Sequence, residues 1–349
     1  MKGKQGMVCM GLLLVLSSCH TGKQITASGL QRKDFQTEVN GQHTDLFTLS
    51  NKQGMEVCIT NYGARVVSIL VPDRNGKRED VVCGFSTITE YMEQRQNFGS
   101  TVGRYIGRIL NARFTLDGVE YKLVPNNGKS GHISHGGNPG FADRMWKVEQ
   151  ADTHRVRLSY LSPDGENGFP GNLKVTLVYS LGEDDNALDL TYEATTDAPT
   201  VLNLSHHSFF NISGNFTKSV EDQQLWVDAD RFTPYDDKKC VTGEYLQVAG
   251  TPLDFRMPHA IGECIDADHP QLKVVNGYDH TWELNTKGDD TRPAAWVYDP
   301  ASGRKMEIFT TEPGMQIYTG NGLKGKMTGK GGIAYPFRSA VCFETMHFQ

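Results

Sequence analysis

The sequence predicts an all-β protein, a large antiparallel β-sandwich. Short alternating or β-branched runs recur from Leu46 to the end of the chain, with turn residues between them and almost no intervening helix. The 37 Gly and 14 Pro among 349 residues would place an unfavourable residue in nearly every helix of a helical architecture. Helical patterning is confined to about two turns at Ile88–Gln94 and about one near 261–267. No internal repeat and no shift in composition marks a second domain, and single all-β domains of this length are common.

The first residues read as an address. Lys2 and Lys4 precede an apolar run of residues 7–16, and Leu16-Ser17-Ser18-Cys19 follows. A helix needs about 20 apolar residues to span a bilayer core, so the run is too short for an anchor helix. The small pair before Cys19 resembles the bacterial lipobox. That resemblance implies that residues 1–18 are a lipoprotein signal peptide and that Cys19 is lipidated, holding an exported protein at the periplasmic face of a membrane or at the cell surface. Residues 19–34 are polar and aperiodic and read as a tether. The single folded domain is then 35–349.

Within that domain the elements follow in order. Strands are expected at 56–60, 66–71, 113–116 and 121–124, the latter two joined by Asp117-Gly118, where Gly accepts the positive φ of a tight hairpin turn. Strands at 155–161, 174–180 and 187–194 follow, with a second hairpin turn at 182–185. Further runs lie at 225–229, 280–284, 294–298, 305–310, 316–318 and 340–344.

Charge and cysteine content narrow the function. The 35 Lys and Arg against 41 Asp and Glu leave a net charge of −6, so the basic face that binds phosphate backbones is missing and nucleic acid is not an expected partner. Beyond Cys9 and Cys19 the chain has Cys58, Cys83, Cys240, Cys264 and Cys342, an odd set with no CxxC. Cys58, Cys83 and Cys342 sit in apolar strand-like runs, where a buried thiol is the ordinary outcome. Gly320 to Lys326 fits two phosphate-binding glycine patterns, but Met-Thr-Gly-Lys-Gly-Gly follows and offers no helix N-terminus to present amides. A mobile loop at the rim of the site is the better reading.

Histidines and acids supply the chemical candidates. His206 and His207 are strand neighbours and point to opposite faces, so only one can face a shared pocket. His132 and His135 lie in a Gly-rich loop with no HExxH pattern, so a metal site is not expected. Glu344 ends the apolar run 340–343, where a carboxylate is costly unless it is hydrogen-bonded or lines a cavity. Asp279 stands between Gly277-Tyr278 and His280.

Asn203-Leu-Ser-His-His207-Ser-Phe-Phe210-Asn211-Ile resembles the signature of the aldose 1-epimerase (galactose mutarotase) family. Gly103-Arg104-Tyr-Ile-Gly-Arg108-Ile, Ser134-His135-Gly-Gly, the Ser162 to Gly171 stretch SPDGENGFPG, Asn276-Gly-Tyr-Asp279-His, Thr311 to Asn321 and Cys342-Phe-Glu344-Thr resemble further blocks of that family, in family order. The resemblance implies the galactose mutarotase-like sandwich and interconversion of α and β anomers of free aldohexoses such as galactose and glucose, an isomerase activity without metal or organic cofactor. It implies Glu344 as base and His207 as acid, with Arg108, His135, Asp279 and Gln316 holding sugar hydroxyls. His207 is then expected to be protonated near neutral pH, favoured by a neighbouring carboxylate.

Three residues depart from the family pattern: His206 and Gly107 each replace an Asn, and Phe209 replaces a Tyr. Only five residues follow Glu344, fewer than in the family, which predicts an open sheet edge, fraying of 345–349 and a poorly held base. Two other functions compete: a non-catalytic sugar-binding surface lipoprotein, and a glycoside hydrolase using Asp279 and Glu344. The first leaves an acid–base pair without purpose and the second leaves His207 unused. A hexose 6-phosphate substrate would need more basic residues than Arg104 and Arg108. The residues carry no signature of one particular hexose or of an oligomeric state.

Overall fold

The computed structural model describes residues 24–348. The signal segment 1–18 and the lipidation residue Cys19 lie outside them. Strands dominate and pair antiparallel in every sheet, as expected, and among the described residues no helix is long and apolar enough to cross a membrane.

Two pairs of sheets make up the molecule. In the first, Leu46–Ser50, Glu56–Thr60, Arg65–Pro72 and Arg78–Asp80 form one meander, and Lys147–Ala151, Arg155–Ser162, Leu173–Leu181 and Leu188–Thr196 form another. Val57, Ile59, Val66 and Ile69 of the first share a core with Val156, Leu158, Val175 and Leu177 of the second. Each such side chain, fully buried, contributes about 1.5–3 kcal/mol. Glu56–Thr60 is buried at every position because its alternate side, through Cys58, meets a separate cluster containing Phe85, Tyr91, Phe98, Phe209, Tyr335 and Cys342.

The second pair sets His259–Ala260, Gln224–Val227, Ala295–Tyr298 and Lys305–Ile308 against a five-stranded sheet. That sheet runs in the order Leu246–Gln247, Ala229–Thr233, Asp279–Leu284, Gly314–Tyr318, Cys342–Met346. Leu225, Val227, Phe232, Trp282, Val297 and Ile317 fill the space between them. The single strand expected at 225–229 is two strands, with Asp228 as the break between Gln224–Val227 and Ala229–Thr233. Phe210 joins the two halves: it exchanges backbone hydrogen bonds of 2.8 Å with Val341 and also bridges to Val82.

Local chemistry explains most element ends. Arg113–Leu116 and Val119–Lys122 are joined through Asp117 and Gly118 at φ 51° and 78°, as the dipeptide predicts. Ile88–Gln94 is helical and opens on a capping box, in which the Thr87 hydroxyl accepts from the Glu90 amide and the Glu90 carboxylate accepts from the Thr87 amide. The turn expected to be helical near 261–267 is not. The second α-helix is Pro270–Val275, with Pro at its first position and Asn276 in the left-handed conformation at its end.

Two boundary expectations are overturned. The described part of the tether, residues 24–34, is packed: the Ala27 and Ser28 amides donate to Glu56 Oε1, Arg32 pairs with Asp45, and Leu30 is buried with Phe35 in one cluster. One apolar anchor, Leu30, with the amide bonds to Glu56 and the Arg32–Asp45 pair, suffices to dock a segment whose composition is otherwise that of a linker. The residues after Glu344 are also held. Met346 is buried, the Asn203 side chain donates to His347 O (2.9 Å) and accepts from His347 N (3.0 Å), and Tyr105 Oη donates to Phe348 O (3.2 Å). The strand carrying Glu344 has one ladder partner, Gly314–Tyr318, but Asn203 clamps its exit as a neighbouring strand would.

Candidate active site

Glu344 reaches the site because register places it opposite Gln316, which in turn lies opposite Thr281. Cross-strand partners share a face, so Thr281, Gln316 and Glu344 form a polar row across three strands. Gln316 is fixed from three sides. Its Nε2 donates to Asp279 Oδ1 (2.6 Å) and to Tyr235 Oη (3.1 Å), while its Oε1 accepts from Thr281 Oγ1 (2.8 Å). Tyr235 and Thr281 were not singled out in the sequence, since no motif marks them.

His207 comes from Ser205–His207, which pairs with Ser100–Val102. Its neighbour His206 turns the other way, towards Ser208 Oγ (2.6 Å), so only His207 faces the cleft. Phe209, at the position where the family has Tyr, stacks on the His207 ring at 5.0 Å between centroids. The His207 carbonyl accepts from Gly99 N (3.0 Å). Gly99 has φ +65°, and a Cβ there would lie 1.8 Å from Val66 O, so only glycine fits this close approach.

Arg65 holds the same loop from below. Its guanidinium is buried, donates to Gln96 O (2.7 Å), Phe98 O (3.0 Å) and Ala142 O (2.7 Å), and lies 5.1 Å from the Tyr91 ring centroid. No carboxylate among the described residues pairs with it. Arg65→Met is expected to cost about 2–4 kcal/mol, because three buried carbonyls lose a charged donor. It should also move the acid limb of the pH–rate profile toward neutral, because the buried cation opposes protonation of His207. Urea titration together with a pH–rate profile checks both effects, and an unmoved acid limb would leave Arg65 a purely structural role.

All six residues expected from the sequence line one cleft of about 460 Å³: Arg108, His135, His207, Asp279, Gln316 and Glu344. His207 Nε2 lies 3.5 Å from Glu344 Oε1, and the two side chains are 7% and 4% exposed. Arg108 donates to Lys239 O (3.1 Å) and lies over the Tyr235 ring. His135 packs edge-on to His207 at 5.4 Å and accepts from Gly107 N (3.4 Å) through Nδ1. Gly107 lines the cleft itself, where the family's Asn would add an amide. Arg104, by contrast, is buried outside the cleft and ties 162–171 together through Ser162, Pro163, Pro170 and Gly171. His132 is likewise apart, accepting from Asn111 N (3.0 Å). Residues 319–326 supply Asn321, Gly322 and Lys324 to the cleft rim, and only a single 3-10 turn, Lys330–Gly332, follows them before the strand Cys342–Met346.

Burial dominates the electrostatics. It raises the Glu344 carboxyl well above its ordinary range, with the Asp279 charge adding to the rise and Arg108 opposing it. It raises Asp279 to about 6, against the pull of Arg108, Gln316 and Lys239. It lowers His207 to about 4, with Arg65 adding to the fall, and lowers His135 well below its usual value. The expectation that His207 is an imidazolium near neutral pH is therefore not met, because burial holds its pKa at about 4. Desolvation disfavours the charged form of each partner, raising the Glu344 carboxyl and lowering the His207 imidazole.

A buried carboxyl and imidazole in contact, ringed by donors and acceptors suited to hydroxyls in a polar cleft on a β-sandwich, define an acid–base site for a small polyol. The sequence matches the family profile described as Aldose 1-epimerase over residues 45–349. It is 38% identical to galactose mutarotase of Sus scrofa over 302 residues, covering 86% of this chain and 85% of that one. It is 36% identical to aldose 1-epimerase of Escherichia coli strain K12 over 286 residues, covering 82% and 81%. A crystal structure of an aldose epimerase homologue from C. elegans superposes with a TM-score of 0.79 at 30% identity, covering 87% of this chain and 89% of that one. The chain belongs to the aldose 1-epimerase family.

Proposed function

We propose that this chain interconverts the α and β anomers of free aldohexoses, with Glu344 as the base at O1 and His207 as the acid at the ring oxygen. Glu344 takes the O1 proton, the C1–O5 bond breaks, and His207 delivers its proton to O5, leaving an open-chain aldehyde. Rotation about C1–C2 turns the other carbonyl face toward O5. Reclosure returns the O5 proton to His207 and the Glu344 proton to O1. The observation that carries this reading is the buried 3.5 Å contact between His207 and Glu344 at the cleft wall.

The direction of the pKa shifts supports the same roles. A raised carboxyl pKa makes Glu344 a stronger base and a lowered imidazole pKa makes His207 a stronger acid, so burial favours the open-chain stage, in which the carboxyl is protonated and the imidazole neutral. The ion-paired form needed for attack has the same net charge and is reached by proton transfer within the pair. Arg108, His135, Asp279 and Gln316 hold the sugar hydroxyls. Polarimetry on fresh α-D-galactose and α-D-glucose tests the proposal directly: the approach to equilibrium rotation should accelerate in proportion to enzyme. A sugar-binding lipoprotein would bind without that acceleration, and a glycosidase would release sugar from a glycoside.

Export and lipid anchoring through Cys19 are part of the same proposal, supported by the basic, apolar and Ser-Ser-Cys order of residues 1–19. Cys19→Ser should move the protein out of the membrane fraction in a cell that exports the wild type. Equal membrane association of the two would sink the anchor.

A further inference from the structure

Cys342 takes no part in the proton transfers proposed above, yet it lies with the two groups that do. Cys342 and Glu344 are two apart on one strand and so point to one face. With His207 they offer one sulfur, one nitrogen and one oxygen ligand atom, all within 4.8 Å of one another, and all three residues are buried. We propose that His207, Cys342 and Glu344 form an inhibitory site for a thiophilic divalent cation, with Zn²⁺ the fitting ion.

The donor set argues for zinc over harder ions. Zn²⁺ takes Cys sulfur at about 2.3 Å and His nitrogen or carboxylate oxygen at about 2.0–2.2 Å, whereas Mg²⁺ and Ca²⁺ take oxygen ligands. Tetrahedral bonds of those lengths hold ligand atoms about 3.3–3.8 Å apart, so closing the trio onto an ion requires contraction of at most about 1.5 Å. On binding, Cys342 gives up its thiol proton and Glu344 any carboxyl proton it holds, both to solvent, so the site takes zinc with release of protons. The surrounding charges act in both directions. Asp279 lies near enough to Glu344 to raise its pKa, and a cation would relieve that repulsion; Arg108 and Lys239 oppose it. Inhibition follows only if Glu344 and His207 carry the protons, as proposed above, because zinc would occupy both; binding itself does not depend on that reading.

Binding and activity are therefore measured separately on the full chain. Competition with a chromogenic chelator should show a single tight Zn²⁺ in the wild type, and saturating galactose should weaken it. Co²⁺ in its place should give a thiolate-to-metal charge-transfer band. Cys342→Ser should lose that band and weaken Zn²⁺ binding at least about tenfold, since a hydroxyl is a poor ligand beside a thiolate, whereas Cys264→Ser, at a partly exposed thiol, should change nothing. In polarimetry Zn²⁺ should inhibit, a chelator should restore the rate, Mg²⁺ should have no effect, and Cys342→Ser should turn over with reduced zinc sensitivity. Absence of the cobalt–thiolate band in the wild type, or Zn²⁺ binding indifferent to galactose, overturns the site even if Cys342→Ser does not fold. Tight binding at the trio without any mutarotation in zinc-free enzyme would instead count against the catalytic roles and leave the site standing.

Discussion

Glu344→Gln and His207→Asn should each lower the mutarotation rate by about 10²–10⁴-fold, the range general acid–base groups contribute. Each substitution keeps near-equal volume and removes a proton-transfer group. Neither should lower the melting temperature, because Glu344 and His207 are groups whose burial opposes their charged forms. Wild-type rate should fall as the solution approaches about pH 4, where His207 is protonated and Glu344, whose carboxyl is held above its ordinary range, carries its own proton and no longer acts as a base. Polarimetry with a thermal melt for each variant decides the matter, and near-wild-type turnover in either would falsify the assignment.

Asp279→Asn should separate binding from stability. The folded-state pKa of Asp279 is raised to about 6, above the unfolded carboxyl value, so its contribution to stability is fully present below about pH 4 and is lost as pH rises through 6. Above pH 7 the wild type therefore carries a buried ionised carboxylate at a cost on the order of 1–2 kcal/mol after allowance for screening by the cleft. The amide keeps an oxygen for Gln316 Nε2 and removes the charge. Urea midpoints should show the variant gaining on the wild type as pH rises from 4 to 7 and holding constant above, while KM for galactose rises. A stability difference that does not vary with pH would show that Asp279 is not held near 6.

Most strands were legible because alternation is a local signal. Leu173–Leu181 carries its pattern in its own residues, as does the capping box that starts Ile88–Gln94. Where burial comes from both faces, as in Glu56–Thr60, the pattern reads as a continuous apolar run and still marks a strand. The failures were non-local. Residues 24–34 look like a linker because only Leu30 and Ile25 are large and aliphatic, and nothing in the segment announces that Glu56 accepts its amides. The clamp on His347 depends on Asn203, a residue 144 positions away. The six site residues were reached through motif resemblance, whereas Tyr235, Thr281 and Arg65 support them from places that carry no motif. A carboxylate partner for His207 is visible in the sequence, but the depth of burial that lowers its imidazole is a property of the packed cluster.

The two reciprocal hydrogen bonds between Phe210 and Val341, with Phe210's bridge to Val82, bear on modularity. His207 is delivered from the side of this seam that pairs with Ser100–Val102, and Glu344 from the far sheet, so neither sheet pair holds a complete proton relay. A gene fragment ending at this seam would carry His207 with Arg108 and His135, and the remainder Glu344 with Asp279 and Gln316, so each would hold one proton carrier and half of the proposed sugar contacts. The proposed relay exists only where the two halves meet, so loosening this seam should cost turnover even where each half keeps its own fold.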